Sequence, residues 1–337
     1  MQYDDERDIW HGIPEFDLSA RTIAVPGLSM VYPHMQCTWD YTICQVTTGE
    51  GEINAAQSIL ALVLSSQLDL THTYWLLAGD CGVSPAVTTI GSVTFYQYAV
   101  QVALQYEFDS REKPENFSTG YVPLGATSPD AYPTYIYGTE VFQLNDALRQ
   151  KAIAYAKTAN LNDSASAVEF RKLYANDTNF APALGKPSVV ACDTATSDNW
   201  WSGNVLGAAF EATTKLFTNN AATYCTTQQE DNAVLEALVR GHRMKKVDFA
   251  RVIGMRTASD FDRPPPGMSA ADNLFNGQDA GYDPAVKNIY LAGVKIVQGI
   301  IKNWGSTFAK GVTPQNYIGD IFGSLGGNPQ FGPGSIF

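Results

Sequence analysis

Basic residues are scarce in this sequence. The 337 residues include 22 lysines and arginines against 34 aspartates and glutamates, which gives a formal net charge of -12 at pH 7. A protein that binds nucleic acid needs a basic surface to neutralise the phosphates. We therefore expect no nucleic acid among the partners, whereas small-molecule ligands stay open.

Long hydrophobic runs are also missing. The longest apolar stretches, such as residues 59–64 and 74–78, are much shorter than the roughly 20 residues of a membrane-spanning helix. The sequence therefore predicts no membrane span. Residues 1–6 contain neither the basic nor the apolar region of an export signal. Two interpretations follow: a cytoplasmic protein, or a secreted or cell-surface protein whose true start has been removed.

The five cysteines show no C-x-x-C spacing. Zinc binding therefore has little support, and we expect neither a metal site nor a cofactor. Cys37 and Cys44 flank a six-residue segment that a hairpin could close. The sequence leaves two alternatives for Cys37 and Cys44: a disulfide between them, or two free thiols.

No internal repeat, low-complexity tract or Gly/Ser linker divides the chain, so we interpret residues 1–337 as a single domain. Apolar patterning predicts strands that alternate with helices. The predicted strands end or lie at 46–48, 73–78, 188–192 and 249–255, and the predicted helices begin near 54, 144, 230 and 283. This alternation predicts an α/β fold with a mixed central β-sheet flanked by helices, and ligands at the carboxyl ends of the strands.

Four polar clusters follow predicted strand ends, at residues 49–52, 79–82, 197–201 and 256–260. We interpret the first two as glycine turns. Thr227 and Glu230 have the spacing of a capping box that opens a helix. Such clusters can line a pocket at a sheet edge, but any α/β fold contains polar residues there, so position alone has little specificity.

Five ordered motifs make these clusters more specific. They are Thr48-Gly49-Glu50-Gly51, Ala78-Gly79-Asp80-Cys81-Gly82-Val83, Ser197-Asp198-Asn199-Trp200, Gln229-Glu230-Asp231-Asn232-Ala233 and Arg256-Thr257-Ala258-Ser259-Asp260. In this order they resemble the motifs of the nucleoside phosphorylase superfamily. Gly12-Ile13-Pro14-Glu15-Phe16-Asp17, Ala258-Ser259-Asp260-Phe261-Asp262-Arg263-Pro264 and Tyr317-Ile318-Gly319-Asp320-Ile321-Phe322-Gly323 resemble its fungal branch, the purine nucleoside permeases. The resemblance covers nearly the whole chain and implies a nucleoside phosphorylase-like fold.

The resemblance implies a catalytic role for Asp260. In relatives, the aspartate of the Ser-Asp pair gives or stabilises a proton near N7 of the departing purine, which would make Asp260 the general acid. A free carboxyl titrates near pH ~4, so Asp260 would need burial or a neighbouring carboxylate to hold a proton near neutrality. The structural alternative is an aspartate that caps the turn after a strand.

Glu230 matches the superfamily glutamate that accepts hydrogen bonds from ribose hydroxyls and steadies an oxocarbenium-like transition state. Its alternative is the capping-box role, and the two roles can coexist. We expect Arg256 to orient a carboxylate or to bridge strands.

Trp200 falls where relatives place an aromatic residue against the base, and an indole face suits a flat purine. Trp201 has a place in the core as its alternative. Further substrate contacts are predicted for Gly49, Gly79, Asp80, Asp198, Gln229 and Asn232. The substrate implied is a small-molecule purine nucleoside, and the resemblance also implies a homo-oligomer.

The nucleophile separates hydrolysis from phosphorolysis. Phosphorolytic relatives hold phosphate with an arginine and a serine or threonine near the second glycine turn, where this chain has Asp80, which would repel phosphate. Only Arg7 and backbone N–H groups are left as phosphate partners. Water is therefore the expected nucleophile, with Glu6 as the general base and Asp80 as the second candidate. The alternative for Glu6 is a solvated charged segment at residues 4–8.

The leading hypothesis is thus a purine nucleoside hydrolase. A phosphorylase is the alternative enzyme, and a nucleoside-binding, transport-associated or storage protein is the alternative from another class. One departure bears on all three: relatives have an apolar strand before the acidic motif, which here follows Met1 almost directly. If that strand is absent, the sheet loses a member beside the site.

Overall fold

The computed structural model describes residues 2–277 and 279–332, in which strands and helices alternate. The strands are β1 (Arg21–Ala24), β2 (His34–Cys37), β3 (Cys44–Gln45), β4 (Trp75–Val83), β5 (Val93–Tyr96), β6 (Tyr98–Gln101), β7 (Gln105–Glu107), β8 (Tyr121–Pro123), β9 (Val141–Gln143), β10 (Val189–Ala191), β11 (Asp193–Thr196), β12 (Tyr224–Gln228), β13 (Val252–Phe261) and β14 (Gly319–Asp320). The α-helices are α1 (Asp4–Asp8), α2 (Glu52–Leu64), α3 (Asp146–Ala156), α4 (Ala165–Arg171), α5 (Asn204–Phe217), α6 (Asp231–Arg243), α7 (Ala270–Asn276) and α8 (Asp279–Lys302).

The central sheet has nine strands in the order β10-β5-β13-β4-β12-β11-β6-β9-β14. It is mixed, because β4 runs parallel to β13 but antiparallel to β12. Alternate residues of β4 enter two different cores, as the two-residue period of a strand requires. Leu77 packs in a core with α2 and α6, and Ala78 packs in a core with α3 and α8. The predicted mixed α/β sheet flanked by helices is therefore confirmed.

Several predicted element boundaries are wrong. No strand lies at 46–48; the nearest is β3, which ends one residue earlier. The long helix near the end begins at Asp279 rather than near 283. The predicted strand at 249–255 starts and ends late, because residues 249–251 form a 3-10 helix and β13 continues to Phe261. Asp260 consequently lies inside a strand and does not cap a turn.

The predicted glycine turn at residues 79–82 is also wrong. These residues belong to β4, which stays extended because β13 pairs with it from Trp75 to Val83, with one shift of register between Ala258 and Asp260. Because glycine has no side chain, the side chains of other residues can lie against the backbone of β4 at these positions. A Cβ atom on Gly79 would lie 2.6 Å from Glu6 Oε1, and one on Gly82 would lie 2.9 Å from Asp260 Oδ1.

A cavity of about 1130 Å³ lies along β4. Within the described ranges, β12 pairs with β4 only at Gly82 and Val83, so the preceding part of that strand edge has no strand partner. The cavity walls are mainly apolar side chains from the two cores, and its polar lining residues include Gln2, Glu230 and Arg256. The cavity therefore reaches Glu230 and Arg256, whereas Glu6 and Asp260 are not among the residues that line it.

Two disulfides cross-link the structure. Cys37 and Cys44 are opposite each other in the β2–β3 ladder and form a disulfide, so that alternative is confirmed. Cys192 and Cys225 form a second disulfide that the sequence analysis did not predict. They are 33 residues apart, and only the pairing of β11 with β12 brings these segments together. Cys81 is a buried free thiol.

Replacing Cys37 and Cys44 together with serine is expected to lower the free energy of unfolding by about 2–3 kcal/mol, because the bridge restricts a short loop in the unfolded chain. Urea unfolding under non-reducing conditions measures the change. The same titration of the unmodified protein is the control, and an unchanged midpoint would contradict the prediction.

Candidate active site

The turn before α2 is held by carboxylates from two other segments. Gly51 donates its backbone N–H to Glu230 Oε1 at 3.1 Å, and Glu52 donates its backbone N–H to Asp198 Oδ1 at 2.7 Å. The first N–H groups of a helix have no partner within the helix and favour negative charge nearby. Gly49 and Gly51 supply the positive φ angles of the turn, 80° and 85°. The turn therefore joins two of the predicted site carboxylates.

Glu230 occupies the N-cap position of α6, but the predicted capping box is wrong. Thr227 lies in β12, and the Glu230 side chain makes no capping hydrogen bond. Gln228 Oε1 accepts the backbone N–H groups of Glu230 and Asp231, each at 2.8 Å. Because Gln228 serves the helix start, the Glu230 carboxylate is available for contacts elsewhere.

The Glu230 carboxylate is buried and hydrogen-bonded on both oxygens. Besides the Gly51 N–H on Oε1, Oε2 accepts Gln2 Nε2 at 2.8 Å and Arg256 Nη2 at 3.3 Å. Burial raises the pKa of Glu230, and the positive charge of Arg256 opposes that rise. The side chain is thus fixed in place where it lines the cavity.

Arg256 connects three elements through its guanidinium. It donates Nε at 3.0 Å and Nη2 at 2.5 Å to the two carboxylate oxygens of Asp231 on α6. From β13 it also donates Nη1 to the Asp80 carbonyl on β4 at 3.1 Å. These contacts fit the predicted role of an arginine that orients carboxylates and bridges strands.

Glu6 is fully buried, so the alternative of a solvated charged segment is wrong for this residue. Its Oε1 accepts the Asp80 N–H and its Oε2 accepts the Gln2 N–H, both at 2.6 Å. Burial and the nearby charge of Asp80 raise the pKa of Glu6 well above its usual range. Asp4 and Asp5, in the same short helix, are exposed. One carboxylate of the acidic motif, that of Glu6, is therefore buried in the site.

Asp260 is 5% exposed and lies near the end of β13. Ser259 donates its hydroxyl to Asp260 Oδ2 at 2.9 Å. Burial raises the pKa of Asp260 to about 7; the Ser259 hydrogen bond opposes this, and the charges of Asp80 and Asp262 add to it. A carboxyl with this pKa holds a proton in a substantial fraction of molecules at neutral pH.

The other predicted contact residues surround the turn before α2. Asn232 donates Nδ2 to Glu52 Oε1 at 2.8 Å, and Gln229 donates Nε2 to the Asp198 carbonyl at 2.7 Å. Trp200 is 60% exposed, and no described hydrogen bond or ring contact connects its side chain with these residues. Its neighbour Trp201 is buried, which agrees with the core alternative.

Gln2, Glu52 and Gln101 were not among the predicted site residues. Gln2 contacts Glu230, while Gln101 donates Nε2 to Glu52 Oε1 at 2.8 Å. These contacts join segments that are distant in the chain, and single glutamines have no motif that would mark them. The only signal was the position of Glu52 directly after the first glycine turn.

The carboxylates form two groups along β4. Glu6 and Arg256 approach the strand at Gly79, and Asp260 approaches it at Gly82. Residues three apart point to opposite faces of an extended strand and are about 10 Å apart along it. Within residues 2–277 and 279–332, no group of three or more His, Cys, Asp or Glu side chains is arranged to hold a metal ion.

Comparisons with known proteins agree with this fold. A solved 5′-methylthioadenosine/S-adenosylhomocysteine nucleosidase from S. pneumoniae, with a transition-state inhibitor, superposes with a TM-score of 0.50. The match covers 88% of this chain and 96% of that chain at 14% sequence identity, which supports a shared fold.

Among the described residues, no helix has both the length and the apolar character to cross a membrane.

Sequence relatives are much closer. A purine nucleoside permease of Candida albicans is 47% identical over 337 residues, covering 98% of this chain and 81% of the relative. A probable purine nucleoside permease of Schizosaccharomyces pombe is 40% identical over 296 residues, covering 86% of this chain and 84% of the relative. The profile of the family described as Purine nucleoside permease (NUP) matches residues 1–313. The chain therefore belongs to the purine nucleoside permease family.

Proposed function

We propose that this protein hydrolyses the N-glycosidic bond of purine nucleosides and releases the free base and ribose. The observation that carries the proposal is the buried Asp260, whose pKa is raised to about 7, together with the buried Glu6, because the charge of Asp80 on β4 acts on both carboxyls. One carboxyl can therefore supply a proton to a leaving group while the other can receive one.

The proposed roles follow from these positions. Asp260 donates a proton to the departing purine as the bond between C1′ and N9 lengthens. Glu230 accepts hydrogen bonds from ribose hydroxyls, and its negative charge stabilises the positive charge that develops on the sugar. Its Oε1 accepts one described hydrogen bond, from Gly51, so a second lone pair is available for a hydroxyl. Trp200 is proposed to cover the base.

Glu6 is the proposed general base. Glu6 is buried beside Asp80, and its ionised carboxylate is the proposed acceptor of a proton from water. Attack of this water on C1′ completes the hydrolysis. Asp80 is the second candidate for the same step.

The charges around the site favour water over phosphate as the nucleophile. Arg256 is already paired with Asp231 and Glu230. Arg7 is paired with Asp4 and Asp8. A phosphate dianion in the site would be repelled by the carboxylates of Glu6, Asp80 and Glu230. Hydrolysis is therefore favoured over phosphorolysis.

Incubation of the protein with inosine and with adenosine, each with and without phosphate, tests this proposal. Hydrolysis is expected to release the base at the same rate in both conditions, with ribose as the sugar product. Phosphate-dependent release with ribose 1-phosphate would instead identify a phosphorylase. Nucleoside binding without base release would overturn the enzymatic proposal and favour the binding or transport class named in the family description. The implied homo-oligomer stays a prediction that light scattering can measure.

A further inference from the structure

We propose that Asn116 and Asn176 are N-glycosylation sites, and that each carries an oligosaccharide attached through its side-chain nitrogen. Asn162, the third asparagine in an acceptor motif, stays unmodified in this proposal. The inference rests on the three motifs, on their different exposure in the fold and on the two disulfides. It does not depend on the proposed hydrolase activity.

Three segments of the chain have the acceptor sequence Asn-x-Ser/Thr, in which x is not proline. They are Asn116-Phe117-Ser118, Asn162-Asp163-Ser164 and Asn176-Asp177-Thr178. The motif is short and also occurs by chance, so the fold has to distinguish an asparagine that can carry a glycan from one that cannot. A glycan is bulky and polar, and a folded protein accommodates it where the asparagine side chain reaches solvent.

Asn116 is exposed in the loop between β7 and β8. The next residue, Phe117, is partly buried and packs edge-on against Phe108, with 6.3 Å between the ring centroids. The Pro114 carbonyl also accepts the Phe117 N–H at 3.0 Å. These contacts hold the turn from its inner side, while Asn116 and Ser118 are both exposed to solvent.

Asn176 is exposed in the turn between two 3-10 helices, Lys172–Tyr174 and Thr178–Leu184. Tyr174, at the end of the first helix, is buried in the core. Asp177 caps the second helix with its side chain. The residues around the turn are thus fixed, while Asn176 and the threonine of its motif are exposed.

Asn162 has different surroundings. It is partly buried, and the side chain of Asn288 on α8 binds its backbone twice. Asn288 Nδ2 donates to the Asn162 carbonyl at 3.0 Å, and Asn288 Oδ1 accepts the Asn162 N–H at 2.7 Å. A glycan at this position would have to be accommodated against α8, at a desolvation cost for its hydroxyl groups. We therefore expect Asn162 to be unmodified.

The disulfides Cys37–Cys44 and Cys192–Cys225 point to the compartment in which N-glycosylation occurs. Disulfides form and persist in the lumen of the endoplasmic reticulum, at the cell surface and outside the cell, whereas cytosolic thiols stay reduced. The two bridges therefore favour the secreted or cell-surface interpretation over the cytoplasmic one. A protein on that route meets the glycosylating enzyme.

The modification transfers a preformed oligosaccharide from a lipid-linked diphosphate donor to the asparagine. The side-chain amide nitrogen forms a bond to C1 of the first sugar, while the bond between C1 and the diphosphate oxygen breaks. The lipid diphosphate leaves with that electron pair, and the amide nitrogen gives up one proton to the transferring enzyme.

The test uses the protein isolated from the cells that produce it. Digestion with peptide N-glycosidase F is expected to increase its electrophoretic mobility, because the glycans are removed. Digestion in heavy-oxygen water converts each glycosylated asparagine to a labelled aspartate. Peptide mass spectrometry is expected to find the label at Asn116 and Asn176 and not at Asn162.

Asparagine-to-glutamine variants expressed in the same cells provide the second measurement. Asn116→Gln and Asn176→Gln are each expected to remove one of two steps in mobility before digestion, and the double variant is expected to remove both. Asn162→Gln is the matched control, because it makes the same change in the third motif, and it is expected to migrate like the unmodified protein.

Unchanged mobility after digestion of the unmodified protein would overturn the proposal. A label at Asn162, a missing label at Asn116 or Asn176, or a digestion-dependent shift that persists in the double variant would overturn it too. None of these outcomes bears on base release from nucleosides, so this inference and the proposed hydrolase function can fail independently.

Discussion

The Asp260→Asn variant is expected to lose about 10²- to 10⁴-fold in kcat/KM for neutral purine nucleosides, the range typical of a lost general acid. Asparagine keeps the shape of the side chain but cannot deliver the proton. In the unmodified protein, kcat/KM should fall as the pH rises through about 7, because Asp260 then loses its proton. Base release from inosine across a pH series measures both effects.

A stability measurement distinguishes loss of the general acid in Asp260→Asn from unfolding of the variant. Burial raises the pKa of Asp260 from 3.8 to about 7, so folding stability falls as the pH rises from about 4 through about 7, and the full penalty of the buried charge is present above that pH. The asparagine variant has no such charge and should be at least as stable as the unmodified protein above that pH. Full turnover by a folded variant would rule out Asp260 as the acid.

The Arg256→Met variant is expected to lose about 3–5 kcal/mol of unfolding free energy, because it leaves buried carboxylates without their positive partner. Asp231 would lose two hydrogen bonds and Glu230 one. Loss of the Asp80 contact would also loosen β4 beside the site. Urea unfolding at neutral pH measures the change.

Arg111→Met is the matched control. Arg111 is exposed and pairs with the nearby Asp109, so the same chemical change should leave the unfolding midpoint unaltered. An Arg256→Met variant as stable as the unmodified protein would show that this guanidinium does not hold the carboxylate cluster together.

Local sequence patterns predicted the fold class well because apolar periodicity reports directly on which faces are buried. Helix α2, helix α3 and strand β10 occur within a few residues of their predicted positions. The extended conformation of residues 79–82 was harder to predict from the sequence, since glycine is typical of turns. Their place in β4 depends on pairing with β13, whose residues lie more than 170 positions further along the chain.

The candidate site was predictable to the extent that its residues belong to recognisable motifs. Asp260, Glu230 and Glu6 were all selected from the sequence, and all three are buried. Their roles stay predictions until activity is measured. The predicted capping box does not form, because the side-chain oxygen of Gln228, just before the helix, accepts the backbone N–H groups of Glu230 and Asp231. Local spacing alone could not decide between these two acceptors.

The sequence by itself determined the alternation of strands and helices, the acidic balance and the choice of candidate carboxylates, because each depends on residue type, short-range order or recognisable motifs. Tertiary structure decided which carboxylates are buried, which are paired with Arg256 and which lie at opposite ends of the Gly79–Gly82 segment. Burial and charge proximity depend on atoms brought together from distant parts of the chain. The raised pKa of Asp260 is therefore a property of the folded protein, even though the aspartate itself was identified in the sequence.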